Sequence, residues 1–194
     1  MYDIADTVQE MAADANIVFT PDEAARVTAI VEATGNYAPE AEVVALFQQG
    51  ALSPNMLAFF LPWMWASRLD ASPVPAETWR AMFQATPYTV DKRVTHSRGW
   101  SVRAYRGATE ANRYGLSWSL DVGQARYFAT SRQAPGVRDA RVWVTNIPAE
   151  RVFARFMQGW EKEVTADVRG LPVYPIEEER RLPRFPWLRD LLPR

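Results

Sequence analysis

The hydrophobic pattern of this 194-residue chain changes after Pro87, and this change limits the folds open to it. Before Pro87, apolar residues recur three and four positions apart between capping signals, which is typical of amphipathic helices. After Pro87, short stretches such as VRAYRG and ARVWV are rich in β-branched and aromatic residues, which favours strands. Helices followed by strands indicate an α+β protein. We expect a helical region over 1–87 and a core with a proline-rich tail over 88–194, together forming one compact unit.

Four helices are predicted in the first region. The clearest has Thr20 as its N-cap, Glu23 closing a capping box and Gly35 at its end. The others are expected over Pro39–Gln49, from Pro54 through the apolar run Met56–Leu69, and over Pro75–Ala85. Pro62 should kink or end the third of these helices. Its apolar run predicts either a buried central helix or a surface for an oligomer or another protein.

The second region is predicted to contain five strands and one helix. The strands are GWSVRAYRGA, YGLSWSL, DARVWVTNI, the end of PAERVFARF, and EKEVTADV. The helix is DVGQARYFATS, with Asp121 as its N-cap. Strand alternation places the polar residues of the last strand on one face and its apolar residues on the other. The polar set is Glu161, Glu163, Thr165 and Asp167, and the apolar set is Val164, Ala166 and Val168.

Composition excludes several classes of site. The chain has no cysteine, which excludes disulfides, thiolate catalysis and thiolate metal sites. It has one histidine, so neither a His-rich metal site nor a Ser-His-Asp triad is expected, and we predict no metal. The Met56–Ala66 run is shorter than the ~20 residues that span a bilayer, and the acidic N-terminus does not resemble a secretory signal. We therefore expect no membrane partner and a cytoplasmic location, in a host cell if the chain is phage-encoded.

Charge is unevenly distributed along the chain. Residues 1–87 carry a net charge of −8, and residues 88–194 carry +7. The basic part should attract anions such as a dinucleotide, a phosphate or a nucleic acid. Packing of two complementary halves explains the same distribution equally well. Charge alone leaves both interpretations open.

Three motifs of the second region occur in an informative order. YRG ends one strand at Tyr105–Gly107, GLSWS at Gly115–Ser119 leads into the helix with ARYFA, and EKEV follows at Glu161–Val164. This order resembles the Arg-Ser-Glu class of ADP-ribosyltransferases, most closely its small bacterial and phage-borne members. The resemblance covers roughly residues 98–168, about a third of the chain, and omits the helical region. It implies an ADP-ribosyltransferase-like split β-sandwich core.

The resemblance also implies a substrate, a reaction and roles for the catalytic residues. NAD would be the substrate, and nicotinamide would be released as ADP-ribose passes to a macromolecule. Glu163 would stabilise the positive charge on the ribose, and Ser117 would orient the Glu163 carboxylate. Glu161 would engage the incoming nucleophile. In the family, a glutamate at that place accompanies transfer to a protein arginine, so protein is the first expectation and nucleic acid the second.

The remaining motif residues would bind the dinucleotide. Arg106 offers a planar fork for phosphate oxygens. Gly107 has no side chain, so its backbone could approach the nicotinamide amide. Tyr105 and Ser119 complete the expected NAD-binding set.

Other interpretations stay open. Taken singly, ExE is usually a solvated strand edge, and serines at a strand end often only cap a helix. The chain could be a non-catalytic binding module on this fold, or an NAD glycohydrolase with water as acceptor. Two departures from the better-known toxins concern the pocket: only nine residues separate Gly107 from Ser117, and Trp118 replaces the usual threonine and should point into the core. Toxin and phage host-takeover roles both fit, and the oligomeric state is not predicted.

Overall fold

A computed structural model describes residues 3–35, 39–67, 73–131, 137–158 and 162–179. These residues form seven α-helices and eight strands. The helices are α1 Ile4–Asp14, α2 Pro21–Thr34, α3 Glu40–Gln48, α4 Pro54–Ser67, α5 Ala76–Ala85, α6 Val122–Thr130 and α7 Ile176–Glu179. The strands are β1 Thr89–Val90, β2 Arg93–Val94, β3 Val102–Ala108, β4 Ser117–Ser119, β5 Arg141–Ile147, β6 Val152–Phe156, β7 Glu163–Ala166 and β8 Tyr174–Pro175. The predicted α+β class is confirmed.

The chain divides into two units. The first comprises Met1–Gly99 with Val152–Trp160, and the second comprises Trp100–Arg151 with Glu161–Arg194. In the first unit, α1 to α5 accompany three strands in the order β2-β1-β6. β1 pairs antiparallel with β2 and parallel with β6.

The start of α2 forms as its sequence predicts. The Thr20 hydroxyl accepts from the Glu23 N–H, and the Glu23 carboxylate accepts from the Thr20 N–H at 2.8 Å. Gly35, at φ +60°, follows the last turn in the left-handed region that glycine tolerates. This reciprocal pair satisfies two N–H groups that a helix end would otherwise leave without partners.

Aromatic packing around α4 builds the core of the first unit. The ring centroid of Trp65 lies 5.2 Å from that of Trp79 and 5.1 Å from that of Phe83. Phe83 stacks on Phe153 of β6 at 5.9 Å. Nine residues of α4 are buried, which confirms burial of the apolar run. The helix continues through Pro62 to Ser67, so Pro62 does not end it, and the kink that the sequence also allows at Pro62 stays a prediction.

The second unit has five strands in the order β7-β4-β3-β5-β8, every described pair antiparallel. β3 and β5 pair over seven residues each, from Val102–Ile147 to Ala108–Arg141. Helix α6 begins at the predicted N-cap Asp121, whose carboxylate accepts from the Gly123 N–H. Among the described residues, no helix combines the length and the apolar character needed to cross a membrane. The sequence of the proline-rich tail also favours a last helical turn at Trp187–Leu192, and this prediction lies outside the described residues.

Thr20→Ala should destabilise the protein by about 1 kcal/mol, because the first turn of α2 loses its cap. Hydrogen bonds from the side chain of Ser53 and from Thr20 hold the pKa of Glu23 below its ordinary value of 4.5. A carboxyl group whose pKa is lowered by folding stabilises the fold at pH values above its ordinary pKa. This stabilisation is lost as the pH falls through the lowered pKa. Thr20→Ala removes only the smallest of these contributions, the one from the Thr20 side chain, so the loss should be only slightly larger at pH 7 than at pH 3.

Urea unfolding at both pH values measures this effect. Thr130→Ala is the matched control, since its exposed hydroxyl bonds back to the carbonyl of Arg126 within the last turn of α6. The control should change the free energy of unfolding by less than about 0.5 kcal/mol. Equal effects of the two substitutions would contradict the capping role.

Candidate active site

The pairing of β4 with β7 sets the geometry of the candidate site. Ser119 lies directly opposite Glu163, and Ser117 lies directly opposite Thr165. Tyr105 of β3 lies opposite Ser119 on the other side of β4. Directly opposed residues in antiparallel strands point to the same face of the sheet. Tyr105, Ser119 and Glu163 therefore form a row across three adjacent strands, with Ser117 and Thr165 beside it on the same face.

The opposite face of these strands is apolar and fixes the register. Trp118 is 1% exposed and pairs with the fully buried Val164. The indole N–H of Trp118 donates to the carbonyl of Gly115 at 2.8 Å, which satisfies its one polar group. A slip of one residue would move Trp118 to the polar face and Ser117 or Ser119 into the core. The prediction that Trp118 points away from the serines is confirmed.

Glu163 is buried. Its residue exposure is 7%, so the carboxylate is not part of a solvated strand edge. Its neighbour Lys162 has a φ of +44°, in the left-handed region that a side chain of this kind rarely adopts. The carbonyl of Lys162 accepts from the Leu120 N–H at 3.0 Å, which ties this turn to the end of β4. β7 therefore begins at Glu163, two residues after the start that the sequence predicts.

Glu161 lies outside the described residues. The predicted role of Glu161 toward the nucleophile therefore stays a prediction.

The two serines are in different situations. The Ser119 hydroxyl accepts from the N–H of Asp121 at 3.0 Å, one residue before α6 begins. Ser119 thus has the helix-entry role that is common at strand ends, in addition to its place beside Glu163. The Ser117 side chain has no hydrogen-bond partner among the described residues and is half-buried. Ser117, the predicted orienter, lies diagonal to Glu163, whereas Ser119 lies opposite it.

Arg106 clasps the loop between β3 and β4. Its Nε–H donates to the carbonyl of Asn112 at 3.0 Å, and its Nη1–H donates to the carbonyl of Ser117 at 2.7 Å. Gly115 lies against the guanidinium so closely that a Cβ at this position would overlap it. The arginine therefore fixes the start of β4. Because Tyr105 shares a face with Ser119 and Glu163, strand alternation places Arg106 on the opposite face, with Trp118, so the sheet does not bring the predicted NAD-phosphate ligand beside Glu163.

Gly107 is required for the packing of α6. A Cβ built on Gly107 would overlap the backbone of α6 at Ala125, Phe128 and Ala129. Such overlap with backbone cannot be relieved by rotating a side chain. The close approach at Gly107 is therefore between α6 and β3. This contact explains the glycine without the predicted approach to nicotinamide.

Tyr105 and the neighbouring loop carry arginine–aromatic contacts. The Tyr105 hydroxyl accepts from the Arg103 Nε–H at 2.8 Å. Arg113 lies 4.6 Å from the ring centroid of Tyr114, and 5.6 Å from the buried ring of Trp143. Arg113 also pairs with Glu110 at 3.0 Å, so its charge is partly balanced. These contacts are typical of a loop held by stacking as well as by charge.

Two polar side chains of this unit are buried without a described hydrogen-bond partner. Thr165 is fully buried, and its hydroxyl has no hydrogen-bond partner among the described residues. The side-chain Oε1 of Gln124, on α6, is likewise buried without a described partner. The polar-apolar alternation of EKEVTADV had placed Thr165 on the Glu163 face, and this alternation is the only sequence signal for it. In the described ranges, no cluster of three His, Asp or Glu residues is arranged to hold a metal ion.

Comparison of the chain with protein-family models, curated proteins and solved structures found no match. The functional interpretation therefore depends on the motifs and on the geometry described above.

Arg106→Lys should lower the free energy of unfolding by roughly 1–3 kcal/mol, because an ammonium cannot replace the two bonds from one planar group. Thermal or urea unfolding measures the loss. Arg126→Lys, at an exposed position of α6, is the matched control and should have little effect. If Arg106 served only to bind NAD, Arg106→Lys would raise KM and leave the free energy of unfolding unchanged. That result would contradict the structural role of Arg106.

Proposed function

We propose that the polar face formed by β3, β4 and β7 is the active site of a mono-ADP-ribosyltransferase that cleaves NAD. The observation that carries the proposal is the row of Tyr105, Ser119 and Glu163 across three adjacent strands. The three motifs are dispersed over about sixty positions of the chain and meet on one sheet. The finer fold assignment, an ADP-ribosyltransferase-like split β-sandwich, belongs to the same proposal.

The chemistry needs a negative group beside the nicotinamide ribose. In the proposed reaction, the bond between ribose C1′ and the nicotinamide nitrogen breaks, and its electron pair leaves with nicotinamide. The ribose becomes positively charged, and the Glu163 carboxylate stabilises that charge. Burial strengthens this interaction because there is less water to screen it. A nucleophile then bonds to C1′ and loses its proton.

The hydroxyls near Glu163 suit a sugar substrate. Ser117 and Ser119 are half-buried and lie on the same face as the buried carboxylate of Glu163. Hydroxyls and a carboxylate together can accept and donate hydrogen bonds to ribose hydroxyls. Tyr105 is half-buried in the same row and adds an aromatic surface at its end.

A macromolecular acceptor is the second part of the proposal. The net charge of +7 over residues 88–194 favours an anionic co-substrate such as NAD. A protein arginine is the first acceptor to test because Glu161 precedes Glu163 at the spacing that resembles arginine-specific enzymes. Water as acceptor would make the protein an NAD glycohydrolase.

One observation favours a second candidate, a non-catalytic binding module. Arg106, Gly107 and Ser119 each have a structural role: a clasp, a helix contact and a helix entry. A scaffold without chemistry would keep these residues for stability alone. The Glu163→Gln test separates the two candidates, because a scaffold without chemistry would release no nicotinamide from NAD.

Glu163→Gln should lower nicotinamide release from NAD by at least ~100-fold, because the neutral amide cannot stabilise the charged ribose. Release is measured by chromatography, alone and with cell lysate. The variant should still fold, as judged by circular dichroism, since glutamine has nearly the same shape. Glu150→Gln, at an exposed glutamate, is the matched control and should behave as wild type. A folded Glu163→Gln protein with wild-type turnover would rule out the assigned mechanism.

Glu161→Gln separates transfer from hydrolysis. It should keep nicotinamide release with water as acceptor within a few-fold of wild type, and lose transfer to an arginine-containing acceptor such as agmatine. The reason is that the carboxylate acts on the nucleophile and not on the leaving group. Labelled ADP-ribose on agmatine measures transfer. Unchanged transfer would show that Glu161 has no part in acceptor use.

A further inference from the structure

The hydroxyl of Thr165 lowers the stability of the fold at its buried position. The residue is 0% exposed, and its Oγ1 has no hydrogen-bond partner among the described residues. An unsatisfied buried hydroxyl destabilises a fold, whereas valine fills nearly the same volume without a polar group. The fold alone therefore gives no reason for threonine at this position.

Ser117 is the polar side chain directly opposite Thr165 across the β4–β7 pair. Directly opposed residues have Cβ atoms about 4.5–5.5 Å apart, so rotation about the χ1 bonds brings their hydroxyls within bonding range, directly or through one water. The Ser117 hydroxyl also lacks a described partner, but unlike Thr165 it is half-buried and can be reached by a ligand.

The backbone on both sides of this pair is held firmly. The carbonyl of Ser117 accepts from Arg106 at 2.7 Å, and the N–H of Ala166 donates to the carbonyl of Leu116 at 3.0 Å. With the strands fixed, the hydroxyls can change partners by side-chain rotation alone. The pair is therefore rigid in its backbone and adjustable in its hydrogen bonds.

We propose that Thr165 is a positioning residue of the active site that acts through Ser117. When the nicotinamide-ribose part of the substrate is bound, the Thr165 hydroxyl donates to Ser117 Oγ, directly or through one water. The proton of Ser117 is thereby directed toward the substrate and the Glu163 carboxylate. This inference rests on the proposed function and adds a residue that the three motifs do not contain.

Four variants test the proposal: Thr165→Val, Thr165→Ser, Ser117→Ala, and Thr165→Val combined with Ser117→Ala. Nicotinamide release gives kcat and KM for each variant, and thermal unfolding gives the stability. Thr165→Val should lower kcat/KM roughly five- to tenfold, the worth of one hydrogen bond, while its melting temperature stays equal or rises. Thr165→Ser should restore activity to near the wild-type value.

The combined variant tests whether Thr165 acts through Ser117. With Ser117→Ala in place, Thr165→Val should cause no further loss, because the acceptor of its hydrogen bond is already gone. An equal loss in both backgrounds would overturn the proposal. So would wild-type activity of Thr165→Val alone, or a loss that follows a lowered melting temperature, as expected of a merely structural residue.

Failure of the proposed function gives a different pattern. In that case the wild-type protein releases no nicotinamide above the Glu163→Gln level, with or without lysate, and the role of Thr165 is rejected with it. If wild type is active and depends on Glu163 while Thr165→Val equals wild type, only the Thr165 proposal is rejected.

Discussion

The register between β4 and β7 is the constraint on which the rest of the site depends. Trp118 and Val164 bury one face of this pair, and burial of so large an indole makes any other register costly. Since the side chains of a strand alternate, the same register places Ser117, Ser119 and Glu163 together on the other face. The core thus determines the arrangement of the polar residues, and no separate device is needed to bring them together.

Several motif residues have structural and proposed functional roles at once. Arg106 donates hydrogen bonds to two backbone carbonyls, those of Asn112 and Ser117, and so fixes the start of β4. The Ser119 hydroxyl accepts a hydrogen bond from the Asp121 N–H at the entry to α6. Gly107 admits the α6 backbone against β3. Such contacts preorganise a site, since the groups near the substrate are held before it arrives. Substitution of any of these three residues can lower both activity and stability. The two losses must therefore be measured together at each position.

Much of the fold could be predicted from the sequence, because its signals are local. The cap at Thr20 and the alternation around Trp118 each depend on neighbouring residues, and both are confirmed. The left-handed Lys162 could not be predicted, since lysine has no preference for this conformation and the turn is fixed by the carbonyl bond to Leu120. The β1–β2 hairpin could not be predicted either. Its strands are two residues long, and its turn has Asp91 and Lys92 at positive φ in place of the glycine that usually signals a hairpin. In the site, strand alternation predicted that Glu163 and Thr165 share a face, whereas the contacts of Arg106 with two backbone carbonyls depend on tertiary geometry.

The most direct test of the central claim is a crystal structure of the Glu163→Gln protein grown with NAD, in which the slowed chemistry preserves the substrate. The account predicts the nicotinamide ribose on the face of β4 and β7, within hydrogen-bond distance of the side chains of Ser117 and residue 163. NAD bound elsewhere on the protein, or this face empty at millimolar NAD, would contradict the account.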